Sequence, residues 1–265
     1  MGSNLPSIAE NQYNFLAVLN SETCRDVVAR GLESLAEMTD PDYYYSKGEE
    51  ARINKDYMAA IAWYEKALAK KPYHRDALLG CALCLMPDPK EQKLLGTHYD
   101  RVAWATKLET INLRLVNLEL AEPKEDKLYI YRAYGNLGYA HLQLGLPRQA
   151  VKDYEDAFNY RRNGYLLYNY ALAKERMGLF DDAQNFYEES LSLEPNYALA
   201  NYGFARFLDY IYEEERAMTQ FIEFLNNANL ETDPYINEND ILYAQRRIQV
   251  IEEEIKREME NTDTD

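Results

Sequence analysis

A short pattern of small and aromatic residues recurs along the chain, and its clearest copies are about 34 residues apart. Each copy has an alanine, then a tyrosine four residues later, then a small residue after three more: Ala60, Tyr64 and Ala67; Ala150, Tyr154 and Ala157; Ala183, Tyr187 and Ser190. Spacings of three and four residues place these side chains on one face of a helix. A repeat of this length cannot bury its apolar face alone, so neighbouring copies must stack. The sequence therefore predicts a stack of equivalent helical units.

The residues around this pattern resemble the tetratricopeptide repeat family, whose unit is a pair of antiparallel helices. The resemblance is strongest over residues 131–231, where glycine, aromatic and proline residues fall at the family's positions in three successive units: Tyr134, Gly138 and Gly145; Tyr170, Gly178 and Pro195; Phe204, Ala217 and Phe221. It implies an all-α fold, a right-handed α-solenoid of antiparallel helix pairs with N- and C-terminal capping helices. In this family the concave surface of the stack holds another chain, so the resemblance implies a binding function.

Helical periodicity and the positions of the prolines divide the chain into four predicted parts. These are an N-terminal helical cap or degenerate repeat at 1–40, repeats resembling the family at 41–124, three consecutive repeats at 131–231, and a C-terminal capping helix and tail at 232–265. Pro87 and Pro89 interrupt the second repeat, because proline lacks an amide donor and clashes with the preceding helical turn. We therefore expect an insert near residues 87–104, and a long helix from about 100 to 121.

The charge of the chain limits the partners it can bind. The formal net charge is −16, of which the stretch between residues 41 and 231 carries only −6. Nucleic acid and anionic membrane both require a basic surface, so we expect neither as a partner. The partner is predicted to be a neutral or basic protein or peptide. No apolar run approaches the roughly 18 residues that span a bilayer, and no signal peptide is recognisable, so a cytoplasmic location is expected.

The sequence offers little for catalysis. Cys81 and Cys84 form a C-x-x-C motif, but they lie inside a predicted helix at positions that normally face the core, which favours small buried residues over redox or zinc chemistry. His141 falls where the repeat usually has tyrosine, and it is predicted to be a packing residue. There is no ordered set of catalytic residues and no phosphate-binding glycine loop. We expect no enzyme activity, cofactor, metal or small-molecule substrate.

The resemblance also implies which side chains line the concave groove. In the three units of 131–231, eight of these positions are predicted to contact a partner: Arg132, Tyr139, Tyr165, Tyr168, Arg176, Tyr202, Arg206 and Tyr210. The remaining groove positions are Gly135, Leu142, Gln143, Leu172, Glu175, Leu199 and Asp209. Tyrosine and arginine are enriched at binding hot spots, because a rigid ring gives contact area at low entropic cost and a guanidinium makes directional hydrogen bonds. Some of these tyrosines could instead pack against neighbouring helices.

Three functions remain open at this point. The first is an adaptor or chaperone-like module that receives a partner segment in its aromatic groove. Family members that clamp a terminal carboxylate have lysine and asparagine where the first unit here has Tyr45 and Glu49, which argues against that subtype. The second is a structural subunit or homo-oligomer that uses the convex surface, the insert or the end caps. The third, a thiol or metal enzyme, would depend on Cys81 and Cys84.

Overall fold

The protein is described by a computed structural model that covers residues 39–86, 100–230 and 236–262. These ranges contain only helices: α1 (Pro41–Ile53), α2 (Tyr57–Lys70), α3 (Arg75–Leu85), α4 (Arg101–Ala121), α5 (Leu128–Gln143), α6 (Pro147–Phe158), α7 (Gly164–Arg176), α8 (Phe180–Leu193), α9 (Ala198–Tyr210), α10 (Glu214–Asn227) and α11 (Glu238–Thr262). The predicted N-terminal cap and most of the predicted insert lie outside the described residues. The chain divides into two compact units, Met1–Ala77 and Leu78–Asp265.

In the first unit, α1 and α2 pack closely because the groove between them is filled by one aromatic ring. A Cβ added at Gly48 would lie 2.5 Å from the ring of Tyr64, so only glycine leaves room for that ring. The hydroxyl of Tyr64 donates a hydrogen bond to the carboxylate of Glu49. His74 Nε2 lies 2.7 Å from Asp42 Oδ1. The recurring tyrosine therefore joins the two helices of its own pair.

The second unit is a series of paired helices. The pairs α4 with α5, α5 with α6, α7 with α8 and α9 with α10 are in contact, and α11 packs on α10. The first helices of successive repeats also contact one another, since α7 touches both α5 and α9. We call the surface that these three helices share the α5–α7–α9 face.

The turn between the two helices of a repeat has a fixed backbone conformation. Gly145 and Gly178 follow α5 and α7 with φ of +74° each, a value that glycine adopts without a steric cost. Lys55 and Tyr212 occupy the corresponding turns with φ of 61° and 65°. Because side chains other than glycine are disfavoured in this region, the stacking of the flanking helices must offset the strain at those two residues.

His141 is not the simple packing residue that the sequence predicts. It is 9% exposed, its Nδ1 contacts the carboxylate of Asp153, and its Nε2 lies 3.2 Å from Glu109 Oε1. The hydrogen bond to Asp153 raises the pKa of His141 above its usual value, while burial raises the pKa of Asp153. A ring whose two nitrogens both face carboxylates is favoured as imidazolium, which donates from both. His141 therefore links α4, α5 and α6 by charge-assisted hydrogen bonds.

Candidate functional site

A pocket of about 440 Å³ opens on the α5–α7–α9 face. It is lined by four tyrosines together with apolar and amide side chains and one carboxylate: Met86, Tyr139, Gln143, Tyr165, Tyr168, Asn169, Leu172, Glu194, Tyr197 and Leu199. Pockets that bind small ligands or inserted side chains have volumes of roughly 300–1,000 Å³ and are mainly apolar with a few polar groups. The pocket therefore has the size and composition of a binding site.

Helix α7 supplies the centre of the pocket because of its spacing. The Asn163 side chain caps its N-terminus by accepting a hydrogen bond from the amide of Leu166 at 3.0 Å. Tyr165, Tyr168 and Leu172 then follow at intervals of three and four residues, which places them on one face of the helix. Leu166, Tyr170 and Ala173, on another face, belong to the apolar core of this repeat.

The ring of Tyr168 is held rigidly between neighbouring aromatic residues. Its centroid lies 5.7 Å from that of Tyr197 in an edge-on arrangement, and 6.1 Å from that of Tyr187. A Cβ added at Gly203 would lie 2.6 Å from its Cε2 atom, so Gly203 provides the space that the ring occupies. Burial raises the pKa of Tyr168 to about 12. Its hydroxyl is therefore protonated at neutral pH.

The α5 side of the pocket is also fixed by aromatic packing. Tyr139 meets Trp104 of α4 edge to face, with the ring centroids 6.0 Å apart. Burial raises the pKa of Tyr139 above its usual value. Because their rings are immobilised before any partner arrives, Tyr139 and Tyr168 would lose little conformational entropy on binding.

The polar residues of the pocket have local hydrogen-bonding roles. Glu194 Oε1 accepts from the backbone amide of Gly164 at 2.9 Å, which places a carboxylate at the N-terminus of α7, where it interacts favourably with the helix dipole. Its side-chain carbons fill the space where a Cβ of Gly164 would lie, at 2.8–3.0 Å. The Nδ2 of Asn169 donates to the carbonyl of Tyr165 at 2.9 Å. Glu194 therefore connects the turn before α9 to the start of α7.

The comparison with known families agrees with the helix pairs. The sequence model of the tetratricopeptide repeat matches residues 41–74, 131–163 and 165–197. The chain contains three tetratricopeptide repeats. The predicted all-α solenoid of helix pairs is thereby confirmed. No curated protein sequence matches the chain.

Solved structures of other tetratricopeptide repeat proteins have the same fold at low sequence identity. PilW, a type IV pilus biogenesis factor, is 18% identical with a TM-score of 0.56, and the match covers 80% of this chain and 89% of PilW. YrrB, a protein with an unusual peptide-binding site, is 16% identical with a TM-score of 0.53, over 82% of this chain and 97% of YrrB. TTC0263, a thermophilic protein of Thermus thermophilus, is 19% identical with a TM-score of 0.53, over 80% of this chain and 98% of TTC0263.

The structure brings together some of the groove residues that the repeat positions predict. Tyr139, Tyr165 and Tyr168 line the pocket, as do three other groove positions: Gln143, Leu172 and Leu199. Sequence reasoning missed Met86, Asn169, Glu194 and Tyr197. Glu194 and Tyr197 flank Pro195, which marks the turn between repeats, so their place at the edge of the pocket could have been inferred from that proline.

The predicted tyrosines of the third unit lie elsewhere, because α11 packs against α9. The ring of Tyr202 lies 4.7 Å from that of Phe224 and 6.2 Å from that of Tyr243 in α11. Asp209, a groove position, accepts two hydrogen bonds from Arg247 at 2.9 and 2.6 Å. Tyr210 is 66% exposed at the end of α9, where its ring meets Phe180.

None of the three predicted arginines is among the residues that line the pocket. Arg176 donates to the backbone carbonyl of Leu142 at 2.6 Å, and Arg206 lies 5.7 Å from the centroid of Tyr202. Within the described parts of the chain, neither these two nor Arg132 forms a salt bridge. By contrast, Arg162, Arg216 and Arg247 are paired with Glu189, Glu188 and Asp209. A role for the groove arginines in binding stays a prediction.

The groups considered for other chemistry are placed as follows. Cys81 and Cys84 are buried, with 0% and 4% exposure. Among residues 39–86, 100–230 and 236–262, no group of three histidine, cysteine or acidic side chains is arranged to hold a metal ion. In the same ranges, every helix is too short or too polar to cross a membrane.

Proposed function

We propose that this tetratricopeptide repeat protein is a non-catalytic interaction module, an adaptor or chaperone-like protein, that receives a segment of a partner polypeptide on its α5–α7–α9 face. The observation that carries the proposal is the pocket of about 440 Å³ between these helices, with tyrosine rings on its walls. Repeat stacks of this kind commonly use such surfaces to bind other chains. We further propose that the partner is neutral or basic overall, and that binding takes place in the cytoplasm.

The composition of the pocket supports a polypeptide guest. Tyr139, Tyr165, Tyr168 and Tyr197 provide large, rigid contact surfaces, while Leu172 and Leu199 add apolar side chains to the lining. This combination favours one inserted apolar or aromatic side chain of a partner segment. Gln143 and Asn169 carry amide groups, which are suited to hydrogen bonds with a peptide backbone.

The proposal is tested by filling the pocket from its own wall. Peptides that bind the wild-type protein are first selected from a random display library, and their affinities are measured by fluorescence anisotropy. Leu199 is half-buried and lines the pocket, so Leu199→Trp places a large ring inside it. We expect this change to weaken binding by at least tenfold.

Leu193→Trp is the matched control, since Leu193 is 52% exposed on α8 and does not line the pocket. It should bind the same peptides with wild-type affinity. Equal affinities of the wild type and Leu199→Trp, with circular dichroism showing both to be folded, would assign binding to another surface. Failure to select any peptide would also count against the proposal.

A structural role in an oligomer is the second candidate, and α11 is the observation that favours it. Leu242, Tyr243 and Val250 on this C-terminal helix are 47%, 40% and 39% exposed. Exposed apolar side chains on a terminal helix can bury themselves against a second copy. Sedimentation velocity over a range of concentrations tests this, and a strictly monomeric species at all of them would exclude self-association.

A further inference from the structure

Three repeats place a tyrosine at the same position of their second helix, but only two of these tyrosines have an acceptor among the described residues. Tyr64, Tyr154 and Tyr187 are all fully buried. The hydroxyl of Tyr64 donates to Glu49, and that of Tyr187 donates to Glu175 Oε2 at 2.6 Å. Within the part of the chain that the structure describes, the hydroxyl of Tyr154 has no hydrogen-bond partner.

The repeat pattern explains why this acceptor is missing. Glu49 lies 15 residues before Tyr64, and Glu175 lies 12 residues before Tyr187. The residues at these two distances before Tyr154 are Tyr139 and Leu142, and neither has a carboxylate. A buried hydroxyl without an acceptor costs free energy, so natural structures seldom retain one without a reason.

Arg176, which forms no salt bridge with another described residue, contacts the same repeat. The guanidinium of Arg176 donates to the backbone carbonyl of Leu142 at 2.6 Å, and Leu142 stands 12 residues before Tyr154, the distance at which Glu175 precedes Tyr187. Tyr139, which stands 15 residues before Tyr154 as Glu49 does before Tyr64, lines the pocket together with Tyr165. Asp153, which precedes Tyr154, is engaged with His141. Among the described residues, the repeat that contributes Tyr139 to the pocket thus holds a buried hydroxyl without an acceptor, and an arginine without a salt bridge contacts the same repeat.

We propose that the bound partner segment supplies the missing carboxylate from an aspartate or glutamate side chain. This carboxylate pairs with Arg176 and accepts the hydrogen bond of Tyr154, while a neighbouring apolar side chain of the segment occupies the pocket. The hydroxyl of Tyr154 is shielded from solvent, so the carboxylate reaches it after the side chain of Tyr165, which lines the pocket, changes rotamer, as side chains commonly do at interfaces. The inference rests on the proposed function, and one acidic residue is compatible with a segment that is neutral or basic overall.

The test uses peptides selected on the wild-type protein, synthesised with acetylated and amidated ends. Each aspartate is replaced by asparagine and each glutamate by glutamine, and affinities are measured by fluorescence anisotropy. We expect one acidic position whose neutralisation weakens binding at least tenfold. With the Arg176→Gln protein, the same replacement should change affinity by less than about twofold, because the charge it recognises is gone.

Two further variants locate the effect. Tyr154→Phe should reduce the preference for the acidic peptide while leaving Arg176 in place. Arg148→Gln removes an exposed arginine of α6 and should leave the preference at the wild-type value. Arg176 is itself exposed, so Arg176→Gln is expected to fold, and the inference stays testable even where Tyr154→Phe perturbs the core.

The outcomes separate this inference from the proposed function. If the peptides bind Leu199→Trp more weakly but tolerate the replacement of every acidic residue, the carboxylate proposal is wrong, while binding in the pocket is still supported. The carboxylate proposal is also wrong if the Arg176→Gln protein prefers the acidic peptide over its neutral variant as strongly as the wild type does. Peptides that bind only with a free C-terminus would identify the terminal carboxylate as the anion and refute a side-chain source. If peptide affinity is instead unchanged by Leu199→Trp, the proposed binding surface is wrong, and the carboxylate proposal that rests on it is wrong too.

Discussion

The same substitution in two equivalent repeats is expected to have opposite effects on stability. Tyr154→Phe and Tyr187→Phe each remove one hydroxyl from a fully buried ring and leave the ring in place. At Tyr187 the hydroxyl donates to Glu175 at 2.6 Å, so its removal deprives a half-buried carboxylate of a donor. At Tyr154 the hydroxyl has no partner among the described residues, so its removal eliminates an unsatisfied polar group.

The magnitudes follow from the hydrogen bonds. A hydrogen bond to a charged acceptor contributes about 1.5–3 kcal/mol, so Tyr187→Phe should destabilise the protein by about 2 kcal/mol. An unsatisfied buried hydroxyl costs about 1–3 kcal/mol, so Tyr154→Phe should stabilise it by about 1 kcal/mol. Each 1 kcal/mol shifts Tm by about 2–4 °C for a chain of this size, which gives a fall of about 6 °C and a rise of about 3 °C.

Thermal unfolding of the two variants, followed by far-ultraviolet circular dichroism beside the wild type, measures these shifts. Urea unfolding with an unchanged slope would show that the unfolded states are comparable. A fall in Tm for Tyr154→Phe as large as that for Tyr187→Phe would mean that the Tyr154 hydroxyl is satisfied in the folded protein. The reasoning about the missing acceptor would then be refuted, since the two repeats would not differ.

Three other predictions concern packing, charge and backbone. Gly138→Ala should destabilise the protein by about 1–3 kcal/mol, because the new Cβ would lie 2.6 Å from the ring of Tyr154. Chemical denaturation measures this loss, and an unchanged denaturation midpoint would contradict the close packing of Gly138 against Tyr154. The raised pKa of His141 means that its contribution to stability is complete below pH 6.5, the ordinary histidine value, and is lost as the pH rises through the higher folded value. Wild-type Tm should therefore fall more steeply with rising pH than that of His141→Gln, and parallel profiles would refute the ion pair. Tyr212→Gly should stabilise the protein by up to about 1 kcal/mol, because glycine adopts the φ of 65° at this position without strain. Urea unfolding measures the change, and a loss of stability would show that the exposed ring stabilises the protein by more than the backbone strain costs.

The repeat spacing was sufficient to predict the helix pairs, and the groove positions came from the resemblance to the tetratricopeptide repeat family. Small residues such as Gly138 and Ala150, recurring at these intervals, let two helices pack closely, so they predict the helix pairs directly. Tyr139, Tyr165 and Tyr168 follow from their positions on first helices. The positions of these small residues and tyrosines can be predicted from the sequence of a single repeat, because each depends only on the residues of that repeat.

The features that escaped prediction depend on contacts between elements far apart in the chain. Tyr202 occupies a groove position, but α11 packs against it through Tyr243, a residue about 40 positions away. His141 stands where the repeat has tyrosine, and its role depends on Glu109 and Asp153 from two other helices. The missing acceptor of Tyr154 becomes visible only when hydrogen bonds are compared between repeats.

The hydrogen bonds from Arg247 of α11 to Asp209 of α9 mark the end of the α5–α7–α9 face at α9. Helices that pack side by side are about 8–10 Å apart, so the distance from α5 to α9 is roughly 20 Å. An extended peptide covers about 3.3 Å per residue, so about six residues span that distance. The C-terminal helix thus closes this face at α9, and extending a guest peptide past α9 should bring little additional affinity.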